Sequence, residues 1–329
     1  MAIHRSKIEW TDYTWNPVTG CRHGCPYCYA RRIADRFRPQ ACERPEEEPM
    51  ESLCKGSGMY WLKKPSQIVD QNGHRLRGTP YPKGFAPTFH EYMLSFPQHL
   101  EKPSKVFVSS MGDLFGEWVP DTWIEAVFES AKKAPQHTYL FLTKNPQRYY
   151  DLAFKKKLPQ EKNFWYGTTI TGPEQRFFCI RGINTFLSIE PILEPFPTGI
   201  VNWPAVPGWI IVGSMTGPGS KRHQPQREWI ESINHICAEA RTPLFMKNSL
   251  RQIWGEDLVQ MYPEGMPSWT PGHKAIPHCK ACLCRIEYHE GKRGTSIFCK
   301  AMGDKHVGAR YARTSPPWCP KREDITDFD

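Results

Sequence analysis

The chain has 329 residues, of which 39% are hydrophobic, enough for one large domain or a domain with an appendage. No apolar run reaches the roughly 18–20 residues of a membrane span, and the opening MAIHRSKIEWTDYTWN has no apolar signal region, so we expect neither a membrane partner nor export, but a cytoplasmic protein. Disulfides have little use in that compartment, so twelve cysteines point to metal or redox chemistry, and the net charge of +9 gives a mild pull toward phosphates.

In chain order, IEWTDYTWNPV (8–18) reads as a first strand and YARRIADRF (29–37) as a helix. Between them GCRHGCPYCYA carries Cys21, Cys25 and Cys28, spaced C-x3-C-x2-C. Three thiols in one short loop face one point. Iron–sulfur clusters take thiolate ligands, usually four, so three would leave one iron open. Zinc with three protein ligands and an open position is the alternative.

Residues 39–104 hold nine prolines and the acidic run ERPEEEPMES, and read as a long insertion after this helix. Asn72–Gly73 predicts a hairpin turn within it, and the insertion is placed to cover the mouth of the main domain. The acidic run reads as a solvated loop, and Cys42 and Cys54 flank it as unassigned thiols.

From residue 105 strands alternate with helices. KVFVSS (105–110) is a strand, and DTWIEAVFESAKKA a helix with Asp121 as its N-cap. TYLFLT (138–143) is a strand, and NPQRYYDLAFKK a helix with Pro146 in its first turn. FWYGTTI (164–170), NTFLSIE (184–190) and GWIIVGS (208–214) are further strands. QREWIESINHICAEA (226–240) is a helix with Trp229, Ile233, Ile236 and Ala240 on one face, and TPLFMK (242–247) a last strand. This order predicts an α/β fold with parallel strands, a partial or full (β/α) barrel over residues 1–255. Polar residues fall at the strand ends: Ser109, Ser110 and Asp113; Thr143 and Lys144; Thr168 and Thr169; Glu190; Ser214. In such barrels these ends form the active-site rim, although polar residues also simply begin loops.

Residues 256–273 read as a Pro- and Gly-rich linker, and 274–329 as a small basic module. So short a segment needs a metal staple, and Cys279, Cys282, Cys299 and Cys319 supply four thiolates for zinc or an auxiliary iron–sulfur cluster, with Cys284 or His278 able to replace one. Residues 274–322 contain eleven Lys or Arg against three acidic residues, together with Tyr288, Phe298, Tyr311 and Trp318. That imbalance suits a nucleic-acid backbone, with Lys292, Arg293, Arg310 and Arg313 as candidate phosphate contacts. Cys237 falls on the apolar side of its helix and reads as core, and Cys179 as a buried small thiol.

The cysteine spacing, its place between strand and helix, and the aromatic Tyr27 before the third cysteine resemble the radical SAM superfamily. The resemblance implies that Cys21, Cys25 and Cys28 hold a [4Fe–4S] cluster whose open iron binds S-adenosylmethionine. One electron, from a donor such as flavodoxin or ferredoxin, then releases a 5′-deoxyadenosyl radical. It further implies Tyr27 near the adenine, Ser110 and Asp113 near the amino group, Lys144 and Thr168 near the carboxylate or ribose, and Glu190 near the ribose. IEWTDYTWNPVTGC, VFVSSMGDLFGEWVPD, APQHTYLFLTKNP, FLSIEPIL and WIIVGSMTGPGS resemble a phage-borne radical SAM family over about residues 7 to 255. That family is distantly similar to spore photoproduct lyase, which repairs a thymine dimer in DNA. Many members space the first two cysteines more widely, and relatives carry an acidic residue near Gly172. The function implied is modification or rearrangement of a base substituent in phage DNA, a thymidine hypermodification such as isomerisation of an amino-acid adduct, in the host cytoplasm. Two alternatives remain: a radical SAM enzyme acting on RNA, a peptide or a free nucleotide, and a non-catalytic zinc-stapled nucleic-acid-binding protein.

Overall fold

The computed structural model describes residues 5–40, 43–45, 58–197, 205–217 and 219–266, and the backbone of three strands at 285–289, 295–299 and 305–307. In chain order the elements are β1 (Tyr13–Trp15), β2 (Val18–Thr19), α1 (Tyr29–Phe37), β3 (Arg44–Pro45), β4 (Tyr60–Leu62), β5 (Ser66–Val69), β6 (Arg75–Thr79), β7 (Thr88–His90) and β8 (Lys105–Val108). They continue with α2 (Asp121–Lys132), β9 (Thr138–Thr143), α3 (Pro146–Phe154), β10 (Phe164–Ile170), β11 (Thr185–Ile189), β12 (Trp209–Val212), α4 (Arg227–Ala240), β13 (Leu244–Met246) and α5 (Arg251–Trp254). β14 (Arg285–His289), β15 (Thr295–Cys299) and β16 (Lys305–Val307) form a separate antiparallel sheet.

Seven strands make one sheet in the order β1-β8-β9-β10-β11-β12-β13, and every neighbouring pair is parallel. The edge strands β1 and β13 are not paired with each other, so the sheet is a partial rather than a closed barrel. Parallel strands covered on both faces need apolar side chains on both, as in Trp209–Val212, where all four residues are buried. Val106, Val108, Tyr139, Phe141, Phe164 and Tyr166 pack under α2 and α3, while Leu187, Ile189, Ile210, Val212, Leu244 and Met246 pack under α4. Their alternates Phe107, Leu140, Phe186, Trp209, Ile211 and Phe245 gather on the other face around Trp10. This period-two sorting fixes the strand register.

The Asn-Gly turn joins β5 to β6 as an antiparallel hairpin. Asp70 Oδ1 accepts the Asn72 and His74 N–H groups at 2.8 Å each, and Gly73 takes φ +85°. β7 lies between β2 and β4, so the described part of the insertion is anchored beside the start of the cysteine loop. The acidic run beyond β3, Cys42 and Cys54 lie outside the described residues.

Three expectations shift. Asp121 does not cap α2: Pro120 holds that position, and Asp121 instead accepts from Arg148 at 2.6 Å. On α4 the buried stripe is Ile230, Ile233, Ile236 and Cys237, with Trp229 on its flank, because the helix turns Ile230 rather than Trp229 inward. Cys237 is core, as expected. Residues 256–266 do not form a free connector. Gln260 bridges antiparallel to Phe245, Met246 N–H donates to Val259 O, and Met266 is buried in the aromatic cluster. Residues 267–273 lie outside the described residues. Among the described residues no helix is long and apolar enough to cross a membrane.

His90, 1% exposed at the end of β7, sits between Thr19 Oγ1 at 2.8 Å and the Tyr92 hydroxyl at 3.3 Å. Burial drives its pKa down to about 3, and burial also lowers His137. A depressed folded pKa means that the unfolded chain takes up the proton first, so this stability is present above about pH 6.5 and is lost as pH falls toward 3. His90→Gln should therefore flatten the loss of stability between about pH 6.5 and pH 4 in urea melts. An unchanged pH slope would contradict this account of His90.

Candidate active site

The cysteine loop runs from β2 into α1 and is held at both ends. Gly20 N–H donates to Met111 O at 2.9 Å and Cys21 N–H to Phe85 O at 3.3 Å. Gly20 has φ +82°, and a Cβ there would stand 2.3 Å from Ala86 O; one at Gly112 would stand 2.8 Å from Gly20 O. Only a residue without a side chain allows these approaches, so Gly20 brings the loop against the segment before β7 and Gly112 brings the turn that follows β8 against the loop. At the other end Cys28 caps α1, its sulfur accepting the Arg31 N–H at 3.4 Å, and His23 N–H reaches Cys21 Sγ at 3.4 Å.

Three side chains tie this segment to the C-terminal ends of β8 and β9. His23 Nε2 lies 2.7 Å from Asp113 Oδ2, Lys144 Nζ donates to the Tyr27 hydroxyl at 2.9 Å, and the Tyr29 hydroxyl donates to Ser110 O at 2.6 Å. Tyr29 as a whole residue remains 46% exposed, while its hydroxyl end is buried. Burial, Cys28 and Glu190 all push the Tyr29 hydroxyl pKa up, so it stays a proton donor at ordinary pH.

Asp113 is 4% exposed and joins these pieces. One carboxylate oxygen accepts from the Thr143 hydroxyl at 2.8 Å and Phe115 N–H at 2.9 Å. The other meets His23 and accepts Lys144 N–H at 3.0 Å. Asp113 thus joins the cysteine loop, the β8 turn and the end of β9. Ser110 Oγ donates to Asn16 Oδ1 at 3.1 Å, which brings in the end of β1. Thr168 is fully buried and its hydroxyl accepts Phe178 N–H at 3.0 Å, so it shapes the strand end beneath a loop. At the far side Glu190 Oε1 lies 3.1 Å from Lys247 Nζ. A Cβ at Gly213 would stand 2.9 Å from Glu190 Oε1, so the glycine makes room for this ion pair. Burial works against the Lys247 charge, but Glu190 and Glu9 outweigh it and raise its pKa. Gly172 departs from an acidic pattern, yet a Cβ there would stand 2.3 Å from Glu194 Oε2, so a carboxylate from the next loop occupies that space.

Cys21, Cys25 and Cys28 are free thiols of intermediate exposure. Burial pushes the Cys21 thiol up to about 12, opposed by the His23 N–H and reinforced by Asp113, Cys25 and Cys28. Left alone, this thiol stays protonated; a thiolate-binding metal reverses that balance. Among the described residues no three Cys, His, Asp or Glu side chains are drawn together as a closed metal site. The donor set nevertheless fits a [4Fe–4S] cluster with one open iron: three soft thiol ligands outside any disulfide on one loop, two of them packed on Tyr81, Phe85 and Met111. Cys179 lies elsewhere. Its sulfur is 3.6 Å from both Thr185 Oγ1, at the start of β11, and Val206 O, so it sits at the opposite end of the sheet from the cysteine loop. Sequence reasoning missed His23, Tyr29 and Lys247. The first two flank the cysteines in the motif and Lys247 ends the last strand, which is the signal that could have found them. Cys279, Cys282 and Cys319 lie outside the described residues, as do Lys292, Arg293, Arg310 and Arg313. Cys299 ends β15, its backbone opposite Arg285 and Lys305.

The chain belongs to the family described as a protein of unknown function (DUF5131), whose model matches residues 5–266. No curated protein matches it. Among solved structures it is similar to a spore photoproduct lyase carrying a cysteine-to-serine substitution, at 12% identity over 70% of this chain and 63% of that one, with a TM-score of 0.38. It is also similar to a doubly substituted spore photoproduct lyase with bound AdoMet and dinucleoside spore photoproduct, at 10% identity over 92% of this chain and 72% of that one, with a TM-score of 0.31. The chain therefore spans 63% of the length of the first lyase chain. At this level of similarity neither match bears on activity.

Because Asp113 satisfies four partners, Asp113→Ala should cost about 3 kcal/mol in denaturant unfolding by stranding buried donors. Asp113→Asn, which keeps the shape, should cost less. Equal stability of the alanine variant and the parent would remove Asp113 from its place as the link.

Proposed function

We propose that this chain is a radical SAM enzyme that modifies a base substituent in DNA. The observation that carries the reading is the free C-x3-C-x2-C triplet on a loop bonded to the C-terminal ends of a consecutive all-parallel sheet. Cys21, Cys25 and Cys28 would hold a [4Fe–4S] cluster. With S-adenosylmethionine bound, that centre supplies a 5′-deoxyadenosyl radical, which takes hydrogen from otherwise inert C–H bonds.

This chain's own residues would do the rest. His23 and Asp113 hold the loop in place. Lys144, 5.0 Å above the Tyr27 ring and bonded to its hydroxyl, presents a cation for a carboxylate. Glu190, turned toward Lys247, retains acceptor capacity for sugar hydroxyls or an amine. Ser110, linked to Asn16, and Thr168 and Asp113, bonded internally, would set the shape of the pocket that receives the cofactor. The aromatic packing of Phe107, Phe186 and Trp209 below them keeps water from the floor. A one-electron donor such as flavodoxin or ferredoxin would serve it in the cytoplasm.

DNA as substrate rests on the basic 274–329 segment, and a thymine-derived base with an amino-acid adduct is the target whose rearrangement most needs radical chemistry. A base in a duplex must be flipped out or single-stranded to enter such a site.

Anaerobically reconstituted protein should be brown and should release 5′-deoxyadenosine from SAM on reduction. Cys21→Ala, Cys25→Ala and Cys28→Ala should each abolish both, as followed by iron content and chromatography. Full cleavage by all three variants would refute the reading. In the triple variant, elemental analysis should still find about one zinc, or residual iron, held by Cys279, Cys282, Cys299 and Cys319. A folded but metal-free triple variant would refute that second site.

A further inference from the structure

A second feature borders the cysteine loop on its outer side. Among the described residues, a cleft of about 480 Å³ is lined by Cys21, Phe85 and two glycines, and by four cationic side chains, Arg22, Arg31, Arg38 and Lys83, against one acid, Asp35. We propose that this cleft binds the phosphodiester backbone of a single nucleic-acid strand and leads it to the cysteine loop.

The charge arrangement carries the argument. Arg31 lies on α1 and Arg38 caps its C-terminus, seven residues apart, so about 10.5 Å separates them along the helix axis. Side chains rooted that far apart on one helix suit successive phosphates of a polymer. Asp35 falls between them, and Arg22 and Lys83 extend the cationic lining along the cleft. Such a spread suits a polyanion, whereas a free phosphate calls for donors converging on a point. Arg31 is already oriented, its guanidinium 5.0 Å above the Phe85 ring and donating to Cys21 O at 3.3 Å. Lys83 is likewise oriented, its ammonium 5.6 Å over the Tyr60 ring. An added Cβ at Gly84 would meet no atom within 4 Å, so the rim there is open. Cys21 is shared with the reaction centre, so a strand in the cleft has its nearest nucleotides at the loop.

That the bound strand is the substrate rests on the proposed function; that it binds does not. Full-length protein carrying Arg38→Gln and Lys83→Gln should be compared with the parent by fluorescence anisotropy on a labelled single-stranded DNA, over a range of salt. Two lost contacts should flatten the log–log salt slope by about 1.4 and weaken binding about 25-fold at 0.1 M salt. Arg38→Lys with Lys83→Arg should restore both, which separates charge from folding. The loss should persist in a background with Lys292, Arg293, Arg310 and Arg313 neutralised. Unchanged affinity and slope in the glutamine variant would overturn the proposal, as would a loss that vanishes in the neutralised background, or a variant that loses affinity for inorganic phosphate alone. Binding is read with or without iron, so failure here leaves the cysteine reading intact, and cysteine variants that keep SAM cleavage leave the cleft intact.

Discussion

The buried carboxylate of Asp113 is the constraint on which the candidate site depends. It lies in the turn after β8 and accepts from the Thr143 hydroxyl and Lys144 N–H at the end of β9, from Phe115 N–H in its own turn and from His23 in the cysteine loop. A carboxylate taken this far from water is tolerated only when its lone pairs are filled. The same bonds that satisfy it therefore fix where the three thiols lie relative to the sheet. Gly112 permits that approach, and Asp113 holds it.

Around this link the sheet divides its labour by height. The Trp10 cluster packs the face opposite the helices, and the polar groups collect at the strand ends: Ser110, Lys144, Glu190 and Lys247. The pairing of Glu190 with Lys247 brings β11 and β13 together across Gly213, and the Lys144–Tyr27 contact brings β9 to the cysteine loop. The basic cleft then lies outside the same loop, with Cys21 shared between the two.

Much of this was legible in the sequence because its signals are local. Phe164–Ile170 and Thr138–Thr143 are strands over the residues read from their apolar runs, and Pro146 opens α3 as its missing N–H dictates. A barrel, partial or full, followed from the alternation, and the unpaired edges of β1 and β13 make it partial. What was not legible depends on residues far apart in the chain. His23 meets Asp113 across 90 positions and Lys144 meets Tyr27 across 117, and no periodicity marks such pairs. The same holds for Asp121, which local reasoning made a cap and which α3 claims through Arg148. Residues 256–266 look like a linker by composition, yet the unpaired edge of β13 recruits them, since an open edge leaves backbone groups to be satisfied.

The most direct test of the central claim is electron paramagnetic resonance of the reduced, iron-loaded full-length protein before and after addition of SAM. If the three thiols leave one iron open to the cofactor, the spectrum should be that of a reduced [4Fe–4S] centre and should change shape when SAM is added. A spectrum that SAM leaves unaltered, or one retained in full by protein lacking all three cysteines, would contradict the account.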